Sequence, residues 1–434
     1  MSPLEIGGLG IAALFALIVL HVPIGFAMLI VGVGGLALQT SWGPAFTLIA
    51  TETSNTLSSV DIATVPLFIL MGTFAAIAGF PKDLYEAAGA FLGHRRGGLA
   101  YATMGGCAAF GVVCGSSTAT AATFGKAALP EMRARGYSPA FATGTIAAGG
   151  ALKSLIPPSV VMILYCIATK VFIFDLFTAA IVPALLAIAI NLAVITVLTR
   201  LNPHGAPVVE RASWAGRRQA LRRAMPALLL MLAVFGGLYS GIFTVNEAAS
   251  VAAVLALLCT VLRRRLTWHK LLEGLRESAS ATAMLYMILI GALVFTYFIS
   301  YARIPEALAA AVEALTLPPV AVIFVMIFIY IVLGAVFDEI SAMLITLPFV
   351  LPIVTGFGYD PVWWGIINVV VVELGMIIPP IGIIVFILHG MAPDIPMRTI
   401  FKGVAPFVIA DLLLLAVLVL FPSISLWLPR VLAG

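Results

Sequence analysis

Chemistry in this 434-residue chain is confined to a few polar residues that interrupt long apolar runs. The first group is Gly115-Ser116-Ser117-Thr118-Ala119-Thr120, with Gly111 just before it, and the second is Gly334 followed by Asp338-Glu339. Lys153 lies shortly before Pro157-Pro158, and Glu373 and Gly375 lie shortly before Pro379-Pro380. A charge at the centre of a bilayer costs about 3 kcal/mol on insertion scales, so such residues are expected to bind ions, substrate or each other. Hydroxyls and carbonyls beside a helix break suit a hard cation, and an ammonium suits a carboxylate. Plainer roles compete. Small hydroxyl residues also pack helices together, and Glu339 or Glu373 can serve backbone amides or a basic residue. Lys153 has several chemistries open to it. It can snorkel to an interface, bind a substrate carboxylate, pair with Asp338 or Glu373, or supply a fixed positive charge at a cation position. A Ser117–Lys153 nucleophilic dyad is the enzymatic alternative, and a channel is the other distant one.

The elements that position these residues must be membrane helices. Hydrophobic residues make up 62% and charged residues 10% of the chain, against about 25% charge in ordinary globular domains, which excludes a soluble enzyme. Apolar runs and breakers predict crossings over 6–21, 23–39, 62–80, 139–170, 176–199, 225–240, 244–262, 280–301, 361–390 and 404–421. Residues 97–130 and 319–352 do not fit simple spans, because Gly111, Gly115 and Ser116-Ser117, or Gly334, Asp338 and Glu339, fall mid-run. Each is expected to be a re-entrant hairpin with a polar tip. With the N-terminus outside, all but Lys170, Arg303 and Arg430 of the 23 Lys and Arg fall on the cytoplasmic side or within apolar segments on that side. The basic clusters therefore read as topology signals, and nucleic acid is not an expected partner. No cysteine or histidine spacing indicates a transition-metal site, and no P-loop, HExxH or GxSxG motif appears. The start lacks a basic n-region, so the first apolar run is expected to be retained.

A shift of 222 residues superposes Pro130 on Pro352, Gly136-Tyr137-Ser138-Pro139 on Gly358-Tyr359-Asp360-Pro361, and Pro157-Pro158 on Pro379-Pro380 without a gap. It also sets Ser116 against Asp338 and Lys153 against Gly375. Five crossings in the first half force the second half to enter from the opposite side. The expected fold is thus an all-α polytopic membrane protein of about ten transmembrane helices plus two re-entrant hairpins, in inverted repeats spanning 1–212 and 213–434. Such repeats, with broken helices at mid-membrane, are transporter architecture, and a gradient or a partner must supply the energy.

The ordered motifs resemble the large membrane subunit of tripartite ATP-independent periplasmic (TRAP) transporters over nearly the whole chain. They are Gly93-His94-Arg95-Arg96-Gly97-Gly98, Gly115-Ser116-Ser117, Pro130-Glu131-Met132, Ile156-Pro157-Pro158-Ser159, Gly236 to Thr244 with Glu247-Ala248-Ala249, and Glu373-Leu374-Gly375 before Pro379-Pro380-Ile381-Gly382. The resemblance implies an elevator-type importer of organic acids in the bacterial inner membrane, commonly driven by sodium. It would work with a separate small four-helix membrane subunit and a periplasmic substrate-binding protein. It places ions near Gly115, Ser116, Ser117 and Pro157 in one half and near Gly334, Asp338, Glu373, Gly375 and Pro379 in the other. Substrate is then expected at Ser117, Thr118, Lys153, Asp338 and Glu339. A stand-alone sodium-coupled divalent-anion transporter, which also has inverted repeats and hairpins, is the alternative within transport. Three positions depart from the family pattern: Lys153 replaces a glycine, Ile378 replaces a threonine before the prolines, and Val245-Asn246 replace Pro-Thr.

Overall fold

The computed structural model describes residues 1–433 and, among these, contains helices and no strands. The first half begins with α1 (Pro3–Val19), α2 (Ile24–Gln39), α3 (Trp42–Ser58), α4 (Val60–Ala78) and α5 (Phe80–Leu92). A hairpin of α6 (Gly98–Gly111) and α7 (Ser117–Ala134) follows, then α8 (Pro139–Ala151), a 3-10 turn (Leu152–Leu155), a non-helical stretch over 156–159, α9 (Val160–Thr169) and α10 (Ile173–Leu201). The second half runs through α11 (Trp214–Tyr239), α12 (Val245–Leu262), α13 (Trp268–Tyr301) and α14 (Ile304–Ala314) to a hairpin of α15 (Pro319–Gly334) and α16 (Glu339–Gly356). It closes with the broken pair α17 (Pro361–Gly375) and α18 (Ile383–Met391), then α19 (Met397–Leu420) and α20 (Ser423–Ala433).

Shifting α7 by 222 residues reproduces the bounds of α16, and the other hairpin arms and broken helices agree to within about a helix end. Two differences are large: α3 and α4, separated at Ser59, correspond to a single 34-residue helix, α13, and α20 has no helical counterpart in the first half. Contacts between the halves are reciprocal. α7 packs on α18 as α16 packs on α9, and α8 packs on α19 as α17 packs on α10. Both proline pairs, Pro157-Pro158 and Pro379-Pro380, are cis.

All ten expected crossings appear as helices or broken helices, but their lengths differ. Eight segments are long and apolar enough to span a bilayer, among them the hairpin arm α16, whereas α1, α2 and α17 are shorter. α2 and α13 pack with their backbones close, because a Cβ on Gly291 would fall 2.2 Å from the Gly25 carbonyl oxygen. Small residues permit such contact where lipid supplies no hydrophobic drive. These helices, with α4 and α12, frame one side of the molecule, and the hairpins and broken helices form the other. The sequence reading missed the amphipathic α3, α5, α14 and α20.

Candidate substrate and ion site

Both hairpin tips are built by capping. Ser116 caps α7, its hydroxyl accepting from the Ala119 amide at 3.3 Å and bonding the Thr118 hydroxyl at 2.9 Å. Asp338, the residue 222 positions on, caps α16 by accepting from the Ile340 and Ser341 amides at 3.2 and 3.1 Å. Asp338 therefore has a structural task, whatever its charge does for a ligand. Asp338→Asn keeps the acceptor and is expected to leave stability within about 0.5 kcal/mol, whereas Asp338→Ala is expected to lose about 1 kcal/mol. Thermal unfolding in detergent measures the cap, and uptake by the stable Asn variant measures the charge. Normal uptake by that variant would show the charge to be dispensable.

The tips face a cavity of 880 Å³ lined by Gly115, Ser116, Thr118, Asp338 and Glu339 among others. Its opposite wall comes from α4 and α13, where Lys270, Glu273 and Glu277 line one end. The first turns of four helices reach this cavity, through Thr118 of α7, Val160 of α9, Ile340 of α16 and Ile383 of α18. Ser116 and Asp338 already cap α7 and α16, whereas α9 and α18 have no side-chain cap, so the free amides and positive dipole ends of these two helices favour a carboxylate.

Behind the tips lies a buried polar cluster. The Ser117 and Ser154 hydroxyls are 2.6 Å apart, and Ser154 donates from its hydroxyl to Glu339 at 2.9 Å and from its amide to Glu373 at 2.5 Å. Ser117 also reaches Glu339 at 3.4 Å. Since Ser117 and Glu339 are themselves separated by 222 residues, equivalent positions of the two halves meet here. Lys153 is 0% exposed, and its ammonium has no hydrogen-bond partner. Among the described residues it forms no ion pair within 4.0 Å, and it is the next residue, Ser154, that bonds Glu339 and Glu373. Burial excludes snorkelling, and Lys153 does not line the cavity, so direct contact with a bound substrate is not part of this arrangement.

The expected site residues thus divide into layers. Gly115, Ser116, Thr118, Asp338 and Glu339 border the cavity; Ser117, Lys153 and Glu373 sit behind them. Gly334 and Gly375 meet backbone to backbone, as a Cβ on Gly375 would lie 2.4 Å from the Gly334 carbonyl carbon. Pro157 is buried, whereas Pro379 is exposed and outside the cavity lining. Two residues escaped the sequence reading. Ser154, which joins both acids, was hidden beside the more conspicuous Lys153. Asp411, midway along α19 beside Asn191 of α10, is a further acid inside an apolar span, and that pattern alone is the signal that marks it in the sequence. At the periphery Arg133 of α7 donates two bonds to Asp394, at 3.2 and 2.5 Å, tying the first hairpin to the loop after α18. These bonds hold the Asp394 carboxyl below its ordinary value.

The fold resembles that of the YdaH transporter of Alcanivorax borkumensis, with a TM-score of 0.56 at 17% identity over 88% of this chain and 89% of that one. With cavity, tips and broken helices in place, the molecule is a multi-pass helical membrane transporter and not an enzyme. Residues 11–424 match the family described as the tripartite ATP-independent periplasmic transporter, DctM component, and the chain belongs to it. It is 34% identical to the C4-dicarboxylate TRAP transporter large permease protein DctM of Pseudomonas aeruginosa, over 88% of this chain and 89% of that protein. It is 29% identical to the sialic acid TRAP transporter large permease protein SiaM of Vibrio cholerae, over 95% and 96%.

Proposed function

We propose that this large permease subunit imports a carboxylated organic solute across the bacterial inner membrane, driven by a cation gradient, with sodium as the coupling ion. The observation that carries the reading is the convergence of four helix N-termini on one cavity between the hairpin tips. The uncapped amides of α9 and α18 complement a carboxylate, while the carbonyl ends of α6, α15 and α17 complement cations. No cluster of three or more His, Cys, Asp or Glu positioned to hold a metal occurs among the described residues. Sodium would accordingly be bound chiefly by backbone carbonyls and hydroxyls, which suit a hard monovalent ion. The relatives named for a C4-dicarboxylate and for sialic acid, both carboxylates, support the substrate class.

In this reading residues 1–212 and 213–434 are inverted repeats, the N-terminus is periplasmic, and the hairpins and broken helices move as a unit against α2, α4, α12 and α13. The 880 Å³ cavity then opens toward the cytoplasm, because Lys270 and Glu273 on its wall follow the basic run Arg263-Arg264-Arg265. A small four-helix membrane subunit and a periplasmic binding protein complete the system. Uptake in proteoliposomes is expected only when both partners and an inward sodium gradient are supplied. Robust uptake by the permease alone would overturn the tripartite reading.

A further inference from the structure

One face of α13 carries charge toward the solute cavity: Lys270, Glu273, Glu277, Ala281 and Met284, spaced by three or four residues, all line it. This wall is fixed to α4. The Thr73 and Ser278 hydroxyls lie 3.2 Å apart, Tyr286 donates to the Ile62 carbonyl at 3.0 Å, and a Cβ on Gly274 would fall 3.0 Å from the Thr73 side chain. A Cβ on Gly72, the residue before Thr73, would fall 3.1 Å from the Cα of Cys114, so the first hairpin tip stands about level with Ser278. Lys270 precedes Ser278 by eight residues, about 12 Å along the helix axis, at the charged end of the cavity.

Among the described residues that line the cavity, Lys270 is the one cation against four acids, Glu273 and Glu277 on its own face and Asp338 and Glu339 at the second tip. It is exposed and, among the described residues, forms no ion pair, whereas Glu273, three residues on, lies 3.6 Å from His269. Neither helix stability nor topology accounts for it. A cation in the first turn of a helix opposes the dipole, and the Thr267 hydroxyl already caps α13 by accepting from the Lys270 amide at 3.3 Å. Arg263-Arg264-Arg265 supply the topology signal, and Arg263 and Arg265 are themselves engaged, each donating to the Ala78 carbonyl at 3.0 Å.

We propose that Lys270 is the release point for the solute, an ammonium on the fixed wall that takes its carboxylate after it leaves the helix N-termini at the tips. The inference rests on the import reading above and deepens it. The free amides of α9 and α18 move with the hairpins, whereas Lys270 stays with α4 and α13, so the two positive positions meet the carboxylate in succession. Between them Glu277 and Glu273 repel it, which leaves Lys270 as the attractive stop before the cytoplasm. An exposed ammonium holds a carboxylate weakly, and weak binding is what a release point needs.

The test uses the permease with its small subunit in detergent, and succinate as the carboxylate probe. Lysine acylation by a water-soluble N-hydroxysuccinimide ester, read by mass spectrometry, is expected to slow at Lys270 by more than about fivefold in succinate at several times a millimolar Kd. Sodium chloride of equal ionic strength and neutral succinamide should not slow it, and Lys82 and Lys402, exposed but outside the cavity lining, should react alike throughout. Glu273→Gln removes an acid from the same face and should lower the succinate concentration for half-protection roughly two- to fivefold. Equal acylation of Lys270 with and without succinate, or a half-protection unmoved by Glu273→Gln, would overturn the inference and leave the import reading intact. The wild-type measurement decides the matter even if the variant does not fold. Protection at Lys270 without any uptake in the complete system would instead keep the contact and overturn import.

Discussion

Glu339→Ala is expected to reduce both thermal stability and solute uptake, and adding Lys153→Met to it should recover the stability but not the uptake. Glu339 accepts from Ser154 at 2.9 Å and from Ser117 at 3.4 Å, and it is buried, as is Lys153 on the residue before Ser154. Truncating it leaves the Ser117 and Ser154 hydroxyls only each other as partners, and leaves Glu373 as the one buried acid bonded to the Lys153–Ser154 segment. Removing one member of a buried charge group costs more than the group contributes, because the survivor keeps its desolvation penalty. Members of one such network typically couple by roughly 1–3 kcal/mol, which the cycle of both single variants and the double variant would read from unfolding in detergent. Uptake should stay low in the double variant, since the cavity has lost one of the two tip carboxylates that border it. Strictly additive stability losses would mean that Lys153 and Glu339 do not interact.

The sequence revealed the membrane helices, both hairpins and the 222-residue offset because each is written in features that survive without a structure. Hydropathy marks spans, and Gly and Pro mark breaks whatever surrounds them. Amphipathic segments such as α3 carry no such mark: Thr51, Glu52, Thr53, Ser54 and Asn55 pull its average below any membrane threshold. α13 was read from residue 280 because Glu273, Arg276 and Glu277 open it with charge, yet that charged end lines the cavity or its approach. The site was legible as a set of types, not as an arrangement. Ser116 and Asp338 were correctly placed at equivalent tips, but capping by both depends on local backbone geometry. Ser154 depends on long-range geometry, since its importance comes from Glu339 and Glu373, 185 and 219 residues away. Lys153 is conspicuous as an anomaly, but excluding two of its roles takes the fold: full burial removes snorkelling, and its place outside the cavity lining removes substrate contact.

Gly375→Ala is expected to abolish uptake, whereas Gly111→Ala should be tolerated within a few-fold. The contrast follows from what each new methyl would strike. At Gly375 the Cβ would lie 2.4 Å from the carbonyl carbon and 2.6 Å from the Cα of Gly334, both backbone atoms at the end of α15. No rotamer can relieve that contact, so α15 and α17 must separate where their terminal carbonyls converge, with an overpacking cost of about 1–3 kcal/mol. At Gly111 the nearest atoms are Cγ and Cβ of Lys153, at 3.0 and 3.2 Å, and a long side chain can shift by a few tenths of an ångström. If the α15–α17 junction binds sodium, Gly375→Ala should also raise the sodium concentration for half-maximal uptake, by about tenfold for each 1.4 kcal/mol lost there. Gly111→Ala should leave that concentration nearly unchanged, because its new methyl meets a flexible side chain and no backbone at the α15–α17 junction. Sodium titrations of the two folded variants at fixed solute measure both effects. Equal shifts in both would place the mobile ion elsewhere than the second-half break.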